Sequence, residues 1–205
     1  MFSARPYDLL RLSGAHVLPP DAPPWASSAL IAAPWVVVRR AAAPMGRIGV
    51  GVRGTSRSER YATDVDPDDV REVVAPEDLA HVAPPSGREL AVMCTLHAVR
   101  PLLDDTGLTW GPTGSVGFEL ATGACTATPE SDLDLLIRVP DGSPATLNLL
   151  AAAYGELRRL AVRVDCQVET PTGAVALAEL VGGQSDVMVR TAEGPRLVPR
   201  AVAVS

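Results

Sequence analysis

Apolar residues recur at helical spacing in two segments of the chain. The first segment has the i, i+4, i+7 pattern of one helix face, formed by Val92, Leu96, Val99 and Leu103. A capping-box sequence at Ser86–Glu89 predicts its start, and Gly107 predicts its end. In the second segment Ser143 and Pro144 suit an N-cap and a first turn, and the apolar face consists of Leu147, Leu150, Tyr154 and Leu157. The pattern therefore predicts two amphipathic helices.

Two further segments have the pattern of strands, in which side chains alternate between two faces. One is an apolar run from Leu133 to Ile137 that is preceded and interrupted by acids. The other spans residues 162–169, where apolar residues alternate with Arg163, Asp165, Gln167 and Glu169. A short helix over 174–181 and a hairpin of 187–191 with 196–198 complete the prediction. The order of helices and strands predicts an α+β fold, with a mixed sheet and helices packed on it.

The first part of the chain is rich in proline and glycine and carries strand-like runs at 35–40 and 48–53. These features predict a small, mainly β N-terminal domain over residues 1–83. The Val82–Pro85 stretch is the predicted boundary, and the second domain is predicted over residues 86–205.

Composition and charge narrow the class of protein. A chain of 205 residues with 47% hydrophobic content can bury a core. No apolar run approaches the roughly 20 residues that span a bilayer, and the first residues lack the apolar region of a secretory signal, so we expect a cytoplasmic protein with no membrane partner. The net charge of -6 argues against nucleic acid as a partner. The cysteines lack metal-ligand spacing and are expected to be free thiols.

The sign of the charge reverses locally between residues 39 and 60. This stretch holds one acid, Glu59, and six arginines, Arg39, Arg40, Arg47, Arg53, Arg57 and Arg60. The planar fork of arginine binds phosphate through two hydrogen bonds at once. The stretch is therefore a candidate surface for a substrate's phosphates or for an acidic protein, with Arg53 and Arg57 as the leading residues. A solvated surface in a chain whose basic residues are all arginine explains the pattern equally well.

The most informative motif is Ser131-Asp132-Leu133-Asp134, at the start of the first strand. On a strand Asp132 and Asp134 project from one face, and two adjacent carboxylates at neutral pH favour a divalent cation between them. Mg²⁺ takes carboxylate oxygens when a phosphorylated substrate completes its coordination shell. Gly114-Ser115 precedes this strand, and a turn of this kind offers N–H groups and a hydroxyl to phosphate oxygens. Each half alone also suits an ordinary role, as a solvated strand face or a common loop.

A third acid strengthens the functional interpretation. If the two strands pair, Asp165 joins the other carboxylates, and three carboxylates around one or two Mg²⁺ ions can clamp the attacking and leaving oxygens of an in-line displacement. Glu169 lies on the same predicted face and is the alternative third carboxylate. We therefore predict a nucleotidyl-transfer site in which Asp132, Asp134 and Asp165 are the catalytic and metal-binding residues and Gly114 and Ser115 hold phosphate.

The segments 110–123 and 131–137, which contain both motifs, closely resemble malonate decarboxylase holo-acyl-carrier-protein synthase, also called phosphoribosyl-dephospho-CoA transferase. The likeness extends to 35–40, 50–54, 164–171 and 194–198. In simpler nucleotidyltransferases the Gly-Ser pair usually lies closer to the Asp-x-Asp motif, whereas Ser115 precedes Asp132 by 17 positions here. This longer separation favours the carrier-protein synthase, and the resemblance implies a nucleotidyltransferase-like mixed sheet with packed helices.

The resemblance implies a reaction and two substrates. The donor is 2'-(5''-triphosphoribosyl)-3'-dephospho-CoA, and the acceptor is a serine of the acyl-carrier subunit of malonate decarboxylase, whose hydroxyl attacks the α-phosphorus and expels diphosphate. The alternatives are a citrate lyase-type holo-carrier synthase, a small-molecule nucleotidyltransferase, and a non-catalytic nucleotide-binding module that has kept the fold.

Overall fold

The computed structural model describes residues 4–13, 18–56 and 58–204. The chain divides into two compact units, Met1–Ala75 and Pro76–Ser205, and each has its own buried apolar core. The Val82–Pro85 stretch, where we expected the boundary, lies inside the second unit. The short 3-10 helix Pro76–Leu79 belongs to this unit because its backbone lies directly against Gly111, where a Cβ atom would come within 1.9 Å of the Pro76 carbonyl oxygen.

The first unit is built on a five-stranded sheet in the order β4-β3-β2-β1-β5. Its strands are β1 (Leu9–Leu12), β2 (Trp35–Val38), β3 (Ile48–Arg53), β4 (Arg60–Val65) and β5 (Val70–Val74), and neighbouring strands are antiparallel. Helix α1 (Pro24–Ala32) joins β1 to β2. The strand-rich N-terminal region is thus confirmed, and β3 has the bounds that the sequence predicts. The sequence analysis missed β1, β4, β5 and α1.

The second unit is built on a six-stranded sheet in the order β11-β10-β9-β8-β7-β6. Its strands are β6 (Thr109–Pro112), β7 (Leu133–Arg138), β8 (Val164–Thr170), β9 (Gly173–Ala176), β10 (Asp186–Thr191) and β11 (Gly194–Pro199). Strands β7 and β8 are parallel, and the other neighbours are antiparallel. The helices are α2 (Ala91–Asp104), α3 (Gly114–Thr122), α4 (Pro144–Leu157), α5 (Leu177–Leu180) and α6 (Arg200–Ala203). The predicted α+β fold with a mixed sheet is confirmed.

Helix α4 makes the parallel pairing of β7 and β8 possible, since parallel neighbours need a crossover connection. Ser143 caps it as predicted, with its hydroxyl accepting a hydrogen bond from the Thr146 N–H at 3.2 Å. The buried face of the helix belongs to the same core as the inward residues of both strands, Leu133, Leu135, Ile137, Cys166 and Val168. One face of the sheet is therefore filled by apolar packing, and the other face is left for the polar residues of β7 and β8.

Three local predictions are wrong. Helix α2 begins at Ala91 rather than at the Ser86 capping box, because Gly87 adopts a positive φ of 78° and turns the chain before the helix. Gly114 and Ser115 lie in the first turn of helix α3 rather than in a turn between elements. Residues 173–176 form strand β9 rather than the start of a helix, because they pair with β8.

Across the residues that the structure describes, none of the helices combines the length and the apolar character needed to cross a membrane.

Candidate active site

Asp134 and Asp165 lie directly opposite each other on the parallel strands β7 and β8. Residues in register on neighbouring strands point to the same face, and such strands lie about 4.8 Å apart. The flanking pairs, Leu133 with Val164 and Leu135 with Cys166, point into the core instead. Both aspartates are half-buried. The fold therefore brings two of the three predicted carboxylates together on the polar face of the sheet.

Asp132, the third predicted carboxylate, precedes β7 by one residue and is also half-buried. The pairing of the strands extends to this end, since the Leu133 N–H donates to the Arg163 carbonyl at 2.9 Å. The Asp165 carboxylate accepts from Arg163 Nε at 3.0 Å and Nη2 at 2.9 Å. Within the described ranges, no three His, Cys, Asp or Glu side chains converge as a metal-binding group. The carboxylates thus form a pair with a third acid near the end of the strand.

Glu169, the alternative third carboxylate, has a different neighbour. It lies opposite Arg138, and its Oε2 is 3.4 Å from Arg138 Nη1. Arg138 also reaches Glu77, at 3.3 Å. Four strand positions separate Glu169 from Asp165, a distance of about 13 Å at 3.3 Å per residue. The register of the sheet therefore favours Asp165 over Glu169 as the neighbour of Asp134.

Gly114 lies directly against Asp134. Its φ is +61°, and a Cβ atom there would come within 1.9 Å of Asp134 Oδ2. The preceding residue, Thr113, donates its N–H to the Asp134 carbonyl at 2.8 Å. Glycine is therefore required at this position both by its conformation and by the close approach of the carboxylate. The structure brings the Gly-Ser motif to the carboxylate strand across the long spacer.

Ser115 occupies the first turn of α3, where backbone N–H groups lack partners inside the helix. In the described part of the chain, the N-cap residue Thr113 makes no side-chain hydrogen bond that would cap them. The Ser115 hydroxyl lies 3.4 Å from the hydroxyl of Ser131, which in turn accepts the Thr128 N–H at 2.9 Å. The N-terminus of a helix attracts anions through its N–H groups and its dipole. Phosphate recognition is the chemistry that this end of α3 can supply beside Asp134.

The sequence analysis gave no role to Ser131, although it lies in the acidic motif, and it did not single out Glu119. Ser131 stands beside Ser115, and Glu119 lies on α3 with no exposed surface. Burial raises the pKa of the Glu119 carboxyl, but hydrogen bonds from Arg88 and from the Ala127 and Thr126 N–H groups outweigh it, so the pKa lies below its ordinary value. The signal available for Glu119 was its place as the one charged residue of α3, and the sequence does not indicate its partner.

The arginine-rich stretch belongs to the first unit. Arg53 lies directly opposite Arg60 on β3 and β4. Arg47 is committed to an ion pair with Asp64, with Nε 2.5 Å from Oδ1. Arg57 lies outside the described residues. The predicted binding roles of Arg53 and Arg57 stay predictions.

Comparison with known proteins finds family matches over nearly the whole chain. Residues 5–76 match the family description "Phosphoribosyl-dephospho-CoA transferase MdcG N-terminal domain", and residues 78–201 match the corresponding C-terminal domain. The chain belongs to the phosphoribosyl-dephospho-CoA transferase family. The two matched ranges meet beside the division between the two compact units. The predicted family resemblance and the prediction of a transferase enzyme are confirmed.

Individual relatives carry the same name. The chain is 44% identical to a phosphoribosyl-dephospho-CoA transferase of Pseudomonas fluorescens (strain Pf0-1) over 94% of this chain and 91% of the relative. It is 40% identical to that of Azotobacter vinelandii over 95% of this chain and 92% of the relative. No solved structure matches the chain. The similarity therefore spans both units and extends over nearly the full length of these transferases.

Proposed function

We propose that this chain transfers the phosphoribosyl-dephospho-CoA group from 2'-(5''-triphosphoribosyl)-3'-dephospho-CoA to a serine of the acyl-carrier subunit of malonate decarboxylase, with release of diphosphate. One observation carries the proposal beyond family membership. Asp134 and Asp165 share a sheet face in register, and the N-terminus of α3 lies against Asp134 at Gly114. Two carboxylates next to an anion-binding helix end are the parts that a metal-assisted phosphoryl-type transfer needs.

The reaction forms one bond and breaks one. The serine oxygen of the carrier attacks the α-phosphorus, and the bond from that phosphorus to the bridging oxygen of the diphosphate breaks. The diphosphate leaves with the electron pair, and the serine proton passes to a base, for which Asp165 is the candidate. Since the protein contributes little covalent chemistry to such a transfer, most of the acceleration comes from positioning and from neutralising charge.

The donor set fits Mg²⁺. This cation binds through one or two carboxylates and completes its shell with substrate phosphates and water, so a ready-made cage of protein ligands is not needed. Asp132 and Asp134 would hold the ion, with Asp165 as a further ligand if it does not serve as the base. When bound, Mg²⁺ would offset the charge of the triphosphate as diphosphate departs.

Gly114 and Ser115 bind the phosphate tail in this proposal. The absence of a side chain at Gly114 lets the backbone approach the carboxylate strand, and the first turn of α3, which contains Ser115, begins at this point. The phosphates are held by the N–H groups of this turn and the Ser115 hydroxyl while the carboxylates organise the cation. The helix dipole adds a partial positive charge at this end.

Arg53 and Arg57 are proposed to bind the carrier or the donor. The residues 1–75 contain nine arginines and eight acids, whereas residues 76–205 contain nine arginines and sixteen acids. An acidic partner is therefore repelled less by the first unit than by the second. Charge reversal at Arg53 should raise the apparent KM for one substrate more than it lowers kcat, since it removes binding made equally in ground and transition states. Unchanged KM values for both substrates would contradict this role.

The test of the proposed function is the intact mass of the purified apo carrier subunit after incubation with the chain, the triphosphoribosyl donor and Mg²⁺. We expect a mass increase equal to one phosphoribosyl-dephospho-CoA group, and no increase when the acceptor serine is replaced by alanine. The citrate lyase carrier serves as the comparison acceptor. Modification of that carrier without modification of the malonate decarboxylase carrier would contradict the carrier assignment, and modification of neither would contradict the transfer itself.

A further inference from the structure

An ion pair joins Glu119 on α3 to Arg88, the third residue before α2. Glu119 has no exposed surface. Arg88 Nε donates to Glu119 Oε1 at 2.5 Å, and Arg88 Nη2 donates to Oε2 at 3.0 Å. The Arg88 side chain keeps 22% of its surface exposed, whereas the Glu119 carboxylate loses its hydration completely, and that loss offsets much of the stability the pair could contribute. Its presence inside the catalytic unit therefore calls for a role other than stability.

The pair holds the segment between the end of α3 and Asp132, residues 123–131, which we call the spacer. Glu119 Oε2 accepts the N–H groups of Thr126 and Ala127, each at 2.9 Å. Arg88 Nη2 donates in addition to the Ala127 carbonyl at 2.7 Å. The backbone of Ala127 is thus held at its donor by the acid and at its acceptor by the arginine. Two charged side chains fix the middle of the spacer against the helix.

The spacer also contacts the phosphate-binding end of the same helix. Thr126 Oγ1 donates to the Ser115 carbonyl at 2.8 Å, and Thr128 donates its N–H to Ser131 Oγ at 2.9 Å. Ser131 lies beside Ser115 and immediately precedes Asp132. Ser115 and Glu119 are four residues apart and so occupy one face of α3. The fastened spacer consequently connects the ion pair to both halves of the site.

We propose that Arg88 and Glu119 are positioning residues for the transfer. They hold the spacer against α3, so that Ser115, Ser131 and Asp132 keep their positions around the reacting phosphates. Glu119 does not touch substrate, because it is fully buried. It acts through Thr126 and Ala127. The proposal rests on the proposed function for the identity of the reaction, while the fastening of the spacer is a property of the chain itself.

The test replaces the pair by apolar residues of similar size, Arg88→Met with Glu119→Leu, which removes both charges together and takes away the partners of the Thr126 and Ala127 N–H groups. We expect a folded protein in which the Thr126 and Ala127 amides lose protection from hydrogen exchange and kcat falls by about 10- to 100-fold, as displacement of catalytic groups by about 1 Å would produce. Val187→Ala, a core truncation in β10, is the control for loss of stability alone. It should leave kcat unchanged when assayed well below its melting temperature.

A double-mutant cycle with Ser115→Ala separates positioning from a merely structural role. If the pair acts through the placement of Ser115, the combined variant loses less activity than the product of the two separate losses. Losses that simply multiply, or a pair variant with wild-type kcat and protected amides, would overturn the proposal. If the apolar pair does not fold, Arg88→Lys serves instead, since a single ammonium cannot make all three contacts of the guanidinium. Failure of the wild type to modify any carrier would count against the proposed function, while the exchange measurement would still decide the fastening of the spacer.

Discussion

Asp134 and Asp165 face each other in register across the only parallel strand pair that the described residues contain, although 31 positions separate them in the sequence. Helix α4 creates this relationship, since it carries the chain from the end of β7 back to the start of β8. The apolar neighbours of both aspartates fill the core, so a shift of one residue in register would bury the carboxylates. The geometry of the proposed site is therefore fixed by the same packing that stabilises the fold.

Asp132→Asn should raise the Mg²⁺ concentration needed for half-maximal transfer and lower kcat by at least about 10²-fold, because it removes a charge where the cation and the departing diphosphate need it. Steady-state transfer measured against Mg²⁺ concentration checks this. Asp186→Asn, at an exposed position of β10, is the matched control and should change neither quantity. An unchanged Mg²⁺ requirement for the Asp132 variant would remove Asp132 from the metal site.

Gly114→Ala should lose both stability and activity. The added Cβ atom would clash with Asp134 Oδ2, and the fold would force the alanine to adopt a positive φ. Gly107→Ala separates these effects, since Gly107 has a φ of +67° and no described heavy atom would lie within 4 Å of its Cβ. We expect Gly107→Ala to cost about 1–2 kcal/mol with transfer retained. Urea unfolding and transfer assays should show the Gly114 variant to be less stable than this control and inactive. Equal behaviour of the two would contradict the close contact with Asp134.

Glu169→Gln should reduce stability and leave kcat unchanged. Glu169 lies opposite Arg138 on the neighbouring strand and forms an ion pair with it, and both side chains are mostly buried. Asp134 lies opposite Asp165 instead. Loss of the charge should lower the free energy of unfolding by about 1–2 kcal/mol. Parallel urea unfolding and single-turnover transfer check this. A variant of normal stability with no transfer would reverse the assignment between Glu169 and Asp165.

Lowering the pH should reduce the folding stability of the wild type through protonation of Glu119. Its pKa in the folded chain lies below the ordinary value of 4.5, so its contribution to stability is fully present above about pH 4.5 and is lost as the pH falls through the folded pKa. Urea midpoints measured between about pH 6 and pH 3 should therefore fall more steeply for the wild type than for Arg88→Met with Glu119→Leu. Parallel pH profiles for the two proteins would show that the carboxylate gains nothing from its partners.

The sequence predicts the part of the site that lies on a strand with regular alternation of apolar and polar residues. The alternation over 162–169 predicted which side chains of β8 face the core, and Cys166 and Val168 are indeed buried there. Helix α3 was missed because its first residues are the turn-forming types Gly114 and Ser115, and the packing of the helix on β7 overrides their preference. The Glu119–Arg88 pair could not be predicted, because its members are 31 positions apart and neither lies in a periodic pattern. Contacts of this kind come from the tertiary fold alone.

The most direct measurement is the intact mass of the apo carrier subunit after a single turnover with the wild type, Asp134→Asn and Asp165→Asn, each with circular dichroism to confirm the fold. The account predicts one added phosphoribosyl-dephospho-CoA group with the wild type. It predicts a rate lower by at least about 10²-fold with either variant, because both carboxylates act on the same reacting phosphate. Wild-type transfer by a folded Asp134→Asn or Asp165→Asn variant would contradict the assignment of the β7 and β8 carboxylates as the reaction site.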